Sequence, residues 1–324
     1  MKLHLDRDAF AALMRIISED SNLRLDVLEK DYYVTLFLKE LATWQSELPA
    51  YFKGGTALYK ALRSIRRFSE DIDLTVCVDG CSNSQAKRRL DKAANGYASL
   101  PRTAIKELES NHKGSITSVY DYESILGAVM ADPLQRFSHV KIEATSFTVS
   151  EPFAPLTISP LLYDKSNDTQ KTILRGQYDV TPFSVNTIRL ERIFADKVFA
   201  SEFYYQRDEY FDVSKHIYDL AVMSGLNEIK NLLADPAELT AMTAFKRREE
   251  KARIGSDLAD RPISDFAVFS GLQDNKELQK AFATMQDIYI FDETDKIEFQ
   301  DVAMAMDRIK ESLLKEQHPQ CKDD

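Results

Sequence analysis

FKGGTALYKALRSIRRFSEDIDLTVCV, residues 52–78, is the stretch whose reading decides the fold, because its period changes midway. Ala57, Leu58, Ala61, Leu62 and Ile65 fall on one helical face. From Asp71 the period is two. Ile72, Leu74, Val76 and Val78 face one way, and Asp71, Asp73, Thr75 and Cys77 face the other. A strand that buries one face thus projects two carboxylates from the other, about 6 to 7 Å apart by strand rise. Parallel carboxylates repel unless a cation lies between them, and a divalent metal is the usual answer. Mg²⁺ takes one or two protein carboxylates and completes its shell with phosphate oxygens. Two such ions can clamp an in-line phosphoryl or nucleotidyl displacement. The plain alternative is a solvated strand end, since D-x-D by itself is common.

Gly54-Gly55-Thr56 narrows that choice. Glycines let the backbone approach a phosphate, the N–H groups of a following helix start bind anions, and the Thr56 hydroxyl adds a donor. Glycines at a loop-to-helix turn followed by D-x-D resemble the arrangement of polymerase-β-like nucleotidyltransferases. A third carboxylate from a neighbouring strand would complete such a site. Glu143 in VKIEATSF is the candidate, on the polar face of an alternating run. It reads equally as a surface glutamate paired with a nearby lysine.

Working outward, residues 7–47 read as helices, DGCSNS from Asp79 as a turn, and 85–110 as helical. Residues 116–149 are β-rich. Residues 150–182, with Pro152, Pro155, Pro160, Pro182 and the polar run DKSNDTQKT, read as irregular or lightly stranded. From Ile188 the chain looks helical to a frayed tail, EQHPQCKDD. The expected architecture is α/β: a mixed sheet flanked by helices over residues 1–185, then a mainly helical domain over 186–324.

A chain of 324 residues with 44% hydrophobic and 29% charged residues can bury a normal core. Its net charge of −10 argues against a general nucleic-acid coat while leaving room for a local basic groove. Cys77, Cys81 and Cys321 are too few and scattered for a disulfide framework or a zinc site. No apolar run suggests a signal peptide or a membrane span, so the expectation is a cytoplasmic protein with no membrane partner.

A second cluster lies in RLERIFADKVFASEFYYQRDEYFDVSKHIYDLAVM, residues 189–223, read as two helices joined by a loop. Lys197 sits on a largely apolar face, with Ile193, Phe194, Ala200 and Ser201 a turn away. Either it snorkels to solvent or its ammonium reaches an anion such as a triphosphate. Lys215 and Asp219 are spaced as an i, i+4 pair beside His216, which as a surface ion pair would add little.

FKGGTALYK, RFSEDIDL, ERIFADKVFA and SKHIYDLAVM, in that order, resemble the AbiEii/AbiGii toxin family of nucleotidyltransferase-like proteins. The resemblance covers about residues 50–225. It implies that Asp71 and Asp73 bind Mg²⁺ or Mn²⁺, that Lys53, Gly54, Gly55, Thr56 and Ser69 bind the nucleotide, and that Lys197 meets its triphosphate. Asp219 would be a further essential acid, with Glu191, Arg192, Lys215 and His216 at matching supporting places. Ile193 and Ala195 depart from the usual Thr and Trp. The family further implies an NTP substrate, a cognate antitoxin, and a toxin or phage-defence role in which some members modify the 3′ end of tRNA.

Basic groups beside this stretch suggest where an RNA acceptor could lie: Arg63, Arg66 and Arg67 first, then Lys87, Arg88 and Arg89. A solvated helix face reads as well for the first group. FKRREEKAR from Phe245 reads as an exposed helix of i, i+4 pairs. Tyr204, Tyr205 and Tyr210 could stack bases, though a core or surface role suits them better. Two other functions stand beside RNA modification: transfer to a protein or small-molecule hydroxyl, and nucleotide binding without catalysis in the service of a partner protein.

Overall fold

The computed structural model describes residues 1–63, 66–127, 136–252 and 257–317. Ile65, Arg253 at the end of FKRREEKAR, and the tail from His318 with Cys321 lie outside them. The chain divides into two compact units. Unit 1 is Met1–Ala61 with Ser69–Ile188, and unit 2 is Leu62–Phe68 with Arg189–Asp324. The break between the units falls after Ile188, and the short segment Leu62–Phe68 groups with the later part of the chain.

Unit 1 is a seven-stranded mixed sheet flanked by helices. Its strands are β1 (Ala50–Lys53), β2 (Ile72–Val76), β3 (Ser110–His112), β4 (Ser115–Asp121), β5 (His139–Thr145), β6 (Phe153–Ile158) and β7 (Phe183–Ile188). They lie in the order β3-β4-β5-β2-β1-β7-β6. β2 runs antiparallel to β1 and parallel to β5, and β1 runs parallel to β7. This puts β2 inside the sheet. Ile72, Leu74 and Val76 are fully buried, as their alternation requires, and Ile142 and Ala144 beside them on β5 are too.

The helices of unit 1 are α1 (Arg7–Ser21), α2 (Leu25–Trp44), α3 (Gly54–Lys60), α4 (Asn83–Asn95), α5 (Leu161–Asp164) and α6 (Asp168–Tyr178). α2 is apolar around most of its circumference and is buried almost throughout from Val27 to Leu38, packing on β5 and β7. Its three charged interior residues are each satisfied. Glu29 accepts from Ser124 and the Ile125 N–H, Lys30 donates to the His139 carbonyl, and Asp31 accepts from Lys60.

Two local expectations fail for visible reasons. The polar run DKSNDTQKT is not irregular: Asn167 and Gln170 form a reciprocal capping box that starts α6. Residues 85–110 are helical only to Asn95, after which Gly96 caps α4 and turns lead into β3.

Unit 2 is helical, as expected: α7 (Leu190–Tyr205), α8 (Tyr210–Met223), α9 (Asn227–Ala234), α10 (Pro236–Ala252), α11 (Val268–Gly271), α12 (Lys276–Tyr289) and α13 (Phe299–Gln317). α8 packs against α7, α12 and α13, burying Ile217, Leu220 and Met223 with Phe194, Val198, Phe282, Met285 and Met306. Among the described residues, no helix is long and apolar enough to cross a membrane.

Candidate active site

In unit 1 the sheet register gathers the charged residues of the opening stretch. Lys53 on β1 stands opposite Asp73 on β2, Asp73 opposite Glu143 on β5, and Glu143 opposite Thr117 on β4. A lysine and two carboxylates thus occupy one rung across three strands. Asp71 enters just before β2, and its Oδ2 lies 2.5 Å from the Nζ of Lys141, two residues before Glu143 on the same face of β5.

Gly54 joins β1 to α3 with φ +79°. A Cβ there would lie 2.0 Å from Asp73 Oδ2, so only glycine lets the carboxylate rest against the backbone. Thr56, fully buried in the first turn of α3, shares a 2.9 Å hydrogen bond between its Oγ1 and the Ser69 Oγ. Two residues assigned to the nucleotide from opposite ends of the stretch thereby meet. α3 itself ends at Lys60, shorter than the apolar spacing suggested.

The electrostatics follow from this crowding. Burial first, and then the neighbouring charge of Glu143, push the Asp73 carboxyl up to about 7. Lys141 is raised too, in its case toward keeping its charge. Burial opposes its charge, but Asp71, with Asp73 and Glu143, raises it above its ordinary value. Lys30 is fully buried and held down at about 8, mainly by that burial; its Nζ lies 2.5 Å from the His139 carbonyl oxygen.

An all-oxygen donor set suits Mg²⁺ or Mn²⁺, and a cation would relieve the repulsion that raises Asp73. Among the described residues, no three His, Cys, Asp or Glu side chains are placed together to hold one metal ion. The fit is that of a carboxylate pair, Asp71 and Asp73, with Glu143 adjoining.

That crowding yields a measurable pH dependence in metal-free protein. Asp73 keeps its proton to about pH 7 when folded but only to about 3.8 in an unfolded chain. The folded state therefore binds the extra proton between those values, and stability falls as pH rises through them. Asp73→Asn should melt higher than wild type in EDTA at pH 8 and match it near pH 4. Equal melting at pH 8 would show that Asp73 carries no such strain.

In unit 2 the pair proposed from spacing alone does not form. Lys215 bonds Asp212 at 2.7 Å. Asp219, fully buried on α8, is gripped instead by Arg67 from the Leu62–Phe68 segment. Nε and Nη2 of Arg67 each donate at 2.7 Å, one to each carboxylate oxygen, and Lys197 Nζ adds a third contact at 2.9 Å. Burial works against the Asp219 charge, but the two cations win and hold its carboxyl below the ordinary value. Arg67 is thus a buried structural partner and not part of an exposed basic patch; Arg63 and Arg66 are exposed.

His216 stacks on Tyr204, ring centroids 5.3 Å apart, and among the described residues its Nδ1 has no hydrogen-bond partner. Burial, then Lys197, Arg67 and Lys215, push it well below the ordinary histidine value, so it is neutral. Glu191 pairs with Arg189 at 2.7 Å. Arg192 is committed elsewhere, to Asp196 and Glu249, in a network that Lys246 extends to Glu249 at 3.2 Å and Glu250 at 3.0 Å. FKRREEKAR is accordingly no exposed helix: Lys246, Glu249 and Glu250 are buried. Sequence reasoning did not connect Lys141 or Lys30 with the acids of unit 1, and it read Lys246 only as part of an exposed helix.

Unit 1 thus sets a glycine turn against a strand-borne carboxylate inside a mixed sheet. The family model described as "Nucleotidyl transferase AbiEii toxin, Type IV TA system" matches residues 36–308, and the chain belongs to that family. It is a nucleotidyltransferase toxin of a type IV toxin–antitoxin system, which implies an NTP substrate and a cognate antitoxin. Among solved structures it is similar to MenT4, a nucleotidyltransferase toxin from Mycobacterium tuberculosis H37Rv, at 12% identity. That likeness covers 93% of this chain and 98% of the other, with a TM-score of 0.46. No curated protein matches the chain.

Proposed function

We propose that the protein transfers a nucleotide from an NTP to RNA, with the 3′ end of tRNA as acceptor, in a reaction that depends on Mg²⁺ or Mn²⁺. Unit 1 is the nucleotidyltransferase domain in this reading. The observation that carries it is the Lys53–Asp73–Glu143 rung beneath Gly54, with Asp71 beside it. Asp71 and Asp73 would hold the divalent ion, with Glu143 supporting Asp73. When bound, that ion would neutralise phosphate charge and favour ionisation of the attacking hydroxyl.

The chain's own groups supply the rest. Gly54 and Gly55 let the backbone approach the nucleotide, while Thr56 and Ser69 offer bonded hydroxyls and Lys53 a cation. One of the acids would help take the proton of the acceptor hydroxyl. Lys197, oriented by Asp219, would meet charge on the triphosphate. Glu191, Arg192, Lys215 and His216 support this helical framework. The reaction belongs in the cytoplasm, where NTPs and tRNA are found, and serves phage defence.

The test incubates purified protein with total tRNA, Mg²⁺ and each NTP labelled at the α-phosphate, beside Asp71→Asn. Label should enter RNA from one nucleotide and fall at least about a hundredfold in the variant, with no change in folding by circular dichroism. Full activity in Asp71→Asn would sink the site assignment. Label that instead enters protein or a small molecule would move the acceptor.

A further inference from the structure

We propose that Lys141 is a built-in counter-ion of the carboxylate pair, one that holds Asp71 when no divalent cation is bound and yields that carboxylate when one arrives. The inference rests on reading Asp71 and Asp73 as the cation-binding pair.

Among the described residues, Lys30, Lys53 and Lys141 lie near Asp71 or Asp73, and the structure distinguishes them. Lys30 is fully buried in α2 with its ammonium on the His139 carbonyl. Lys53 stands on β1 opposite Asp73, on the side away from β5. Lys141 alone is ion-paired to Asp71, and both side chains remain about one-third exposed, at 31% and 29%. A partly solvated pair on a flexible four-carbon stem can exchange, whereas a buried one cannot do so cheaply.

Its position on the strand explains why a cation is needed there at all. Lys141 and Glu143 lie on the same face of β5, and Glu143 is in register with Asp73. Without an ammonium in that row, Asp71, Asp73 and Glu143 would confront one another across two adjacent strands with like charge. Lys141 therefore keeps the empty site folded. The same ammonium repels a divalent ion approaching Asp71, so it must swing away as the ion binds, and it sets a threshold on metal affinity. The protein alone takes up metal weakly; triphosphate oxygens, which complete the ion's shell, tip the exchange.

Mn²⁺ titration followed by the electron paramagnetic resonance of the unbound ion tests this directly in wild type, Lys141→Met, Lys141→Arg and Asp73→Asn. Lys141→Met should bind Mn²⁺ at least about tenfold more tightly than wild type. In EDTA it should melt lower, and Mn²⁺ should raise its Tm more than it raises the wild-type Tm. Lys141→Arg keeps the charge and should bind close to wild type, and Asp73→Asn should bind weakly. Metal binding by Lys141→Met that is equal to or weaker than wild type, with Asp73→Asn still impaired, would overturn the counter-ion role and leave the metal site standing. A gain in Lys141→Arg as large as that in Lys141→Met would also overturn it. Unchanged binding in Asp73→Asn would overturn the carboxylate pair itself, and this inference with it.

Discussion

Asp219→Asn should lower stability by about 3–5 kcal/mol, a fall of roughly 10 °C or more in Tm. The side chain keeps its shape, so no cavity opens. What changes is charge. Asp219 is fully buried, and its two oxygens take both donors of Arg67 together with the ammonium of Lys197. A neutral amide would leave two cations buried side by side with nothing between them, and an amide nitrogen would face a guanidinium it cannot accept from.

Arg67→Met should cost less, because Lys197 still neutralises the carboxylate. The ranking of the two variants in a thermal melt therefore checks the account. If Asp219→Asn melts within a degree of wild type, the buried clamp is not what holds this part of unit 2. Since burial opposes the charge and the cations outweigh it, the carboxyl sits below its ordinary value. The clamp's contribution is then present above about pH 4 and lost as pH falls through the depressed value. The variant's stability should be correspondingly flatter on the acid side. A large loss of transfer in Asp219→Asn would by itself not mark the residue as touching substrate, because lost structure produces the same result.

Gly54→Ala should reduce nucleotide transfer by about a hundredfold or more, with a stability loss of about 1–2 kcal/mol. Two costs coincide at this residue. Its φ of +79° is strained for any side chain, and the added methyl would sit 2.0 Å from Asp73 Oδ2 and 2.9 Å from Asp73 Cγ. The carboxylate has to move, on a strand whose other face is fully buried and cannot shift with it. Gly80 supplies the control. Its φ is +71°, yet a methyl group added there would meet nothing within 4 Å. Gly80→Ala should show the conformational cost, about 1 kcal/mol, with transfer unchanged. Should Gly54→Ala transfer nucleotides as fast as Gly80→Ala, the approach of Asp73 to the backbone has no role in the reaction.

Local pattern reveals what is local. The alternation of Asp71–Val76 is visible within one short run and fixes a strand, and the glycines before α3 announce a turn. Glu143 could be placed on a polar strand face, but its register with Asp73 depends on parallel pairing between strands separated by 62 intervening residues. No periodicity reports that pairing. Long-range charge partners are hidden for the same reason. Arg67 looks like one of three neighbouring arginines, and only the fold turns it inward to Asp219. The sign alternation of FKRREEKAR suits a solvated helix, yet Arg192 draws Glu249 into the core. The start of α6 is a different case: the Asn167-x-x-Gln170 signal is present in the sequence, and the polarity around it masks the helix.

The assignment of Leu62–Phe68 to unit 2, while the chain on either side belongs to unit 1, bears on inheritance. Arg67 lies 122 positions ahead of Arg189, where the rest of its unit begins. The helical region is therefore not a cassette that a gene can exchange in one crossover. A recombinant that took residues 189–324 from a divergent relative would pair a foreign Asp219 with a resident Arg67. Drift on the two sides of that bond has to stay in step, although the residues are encoded far apart.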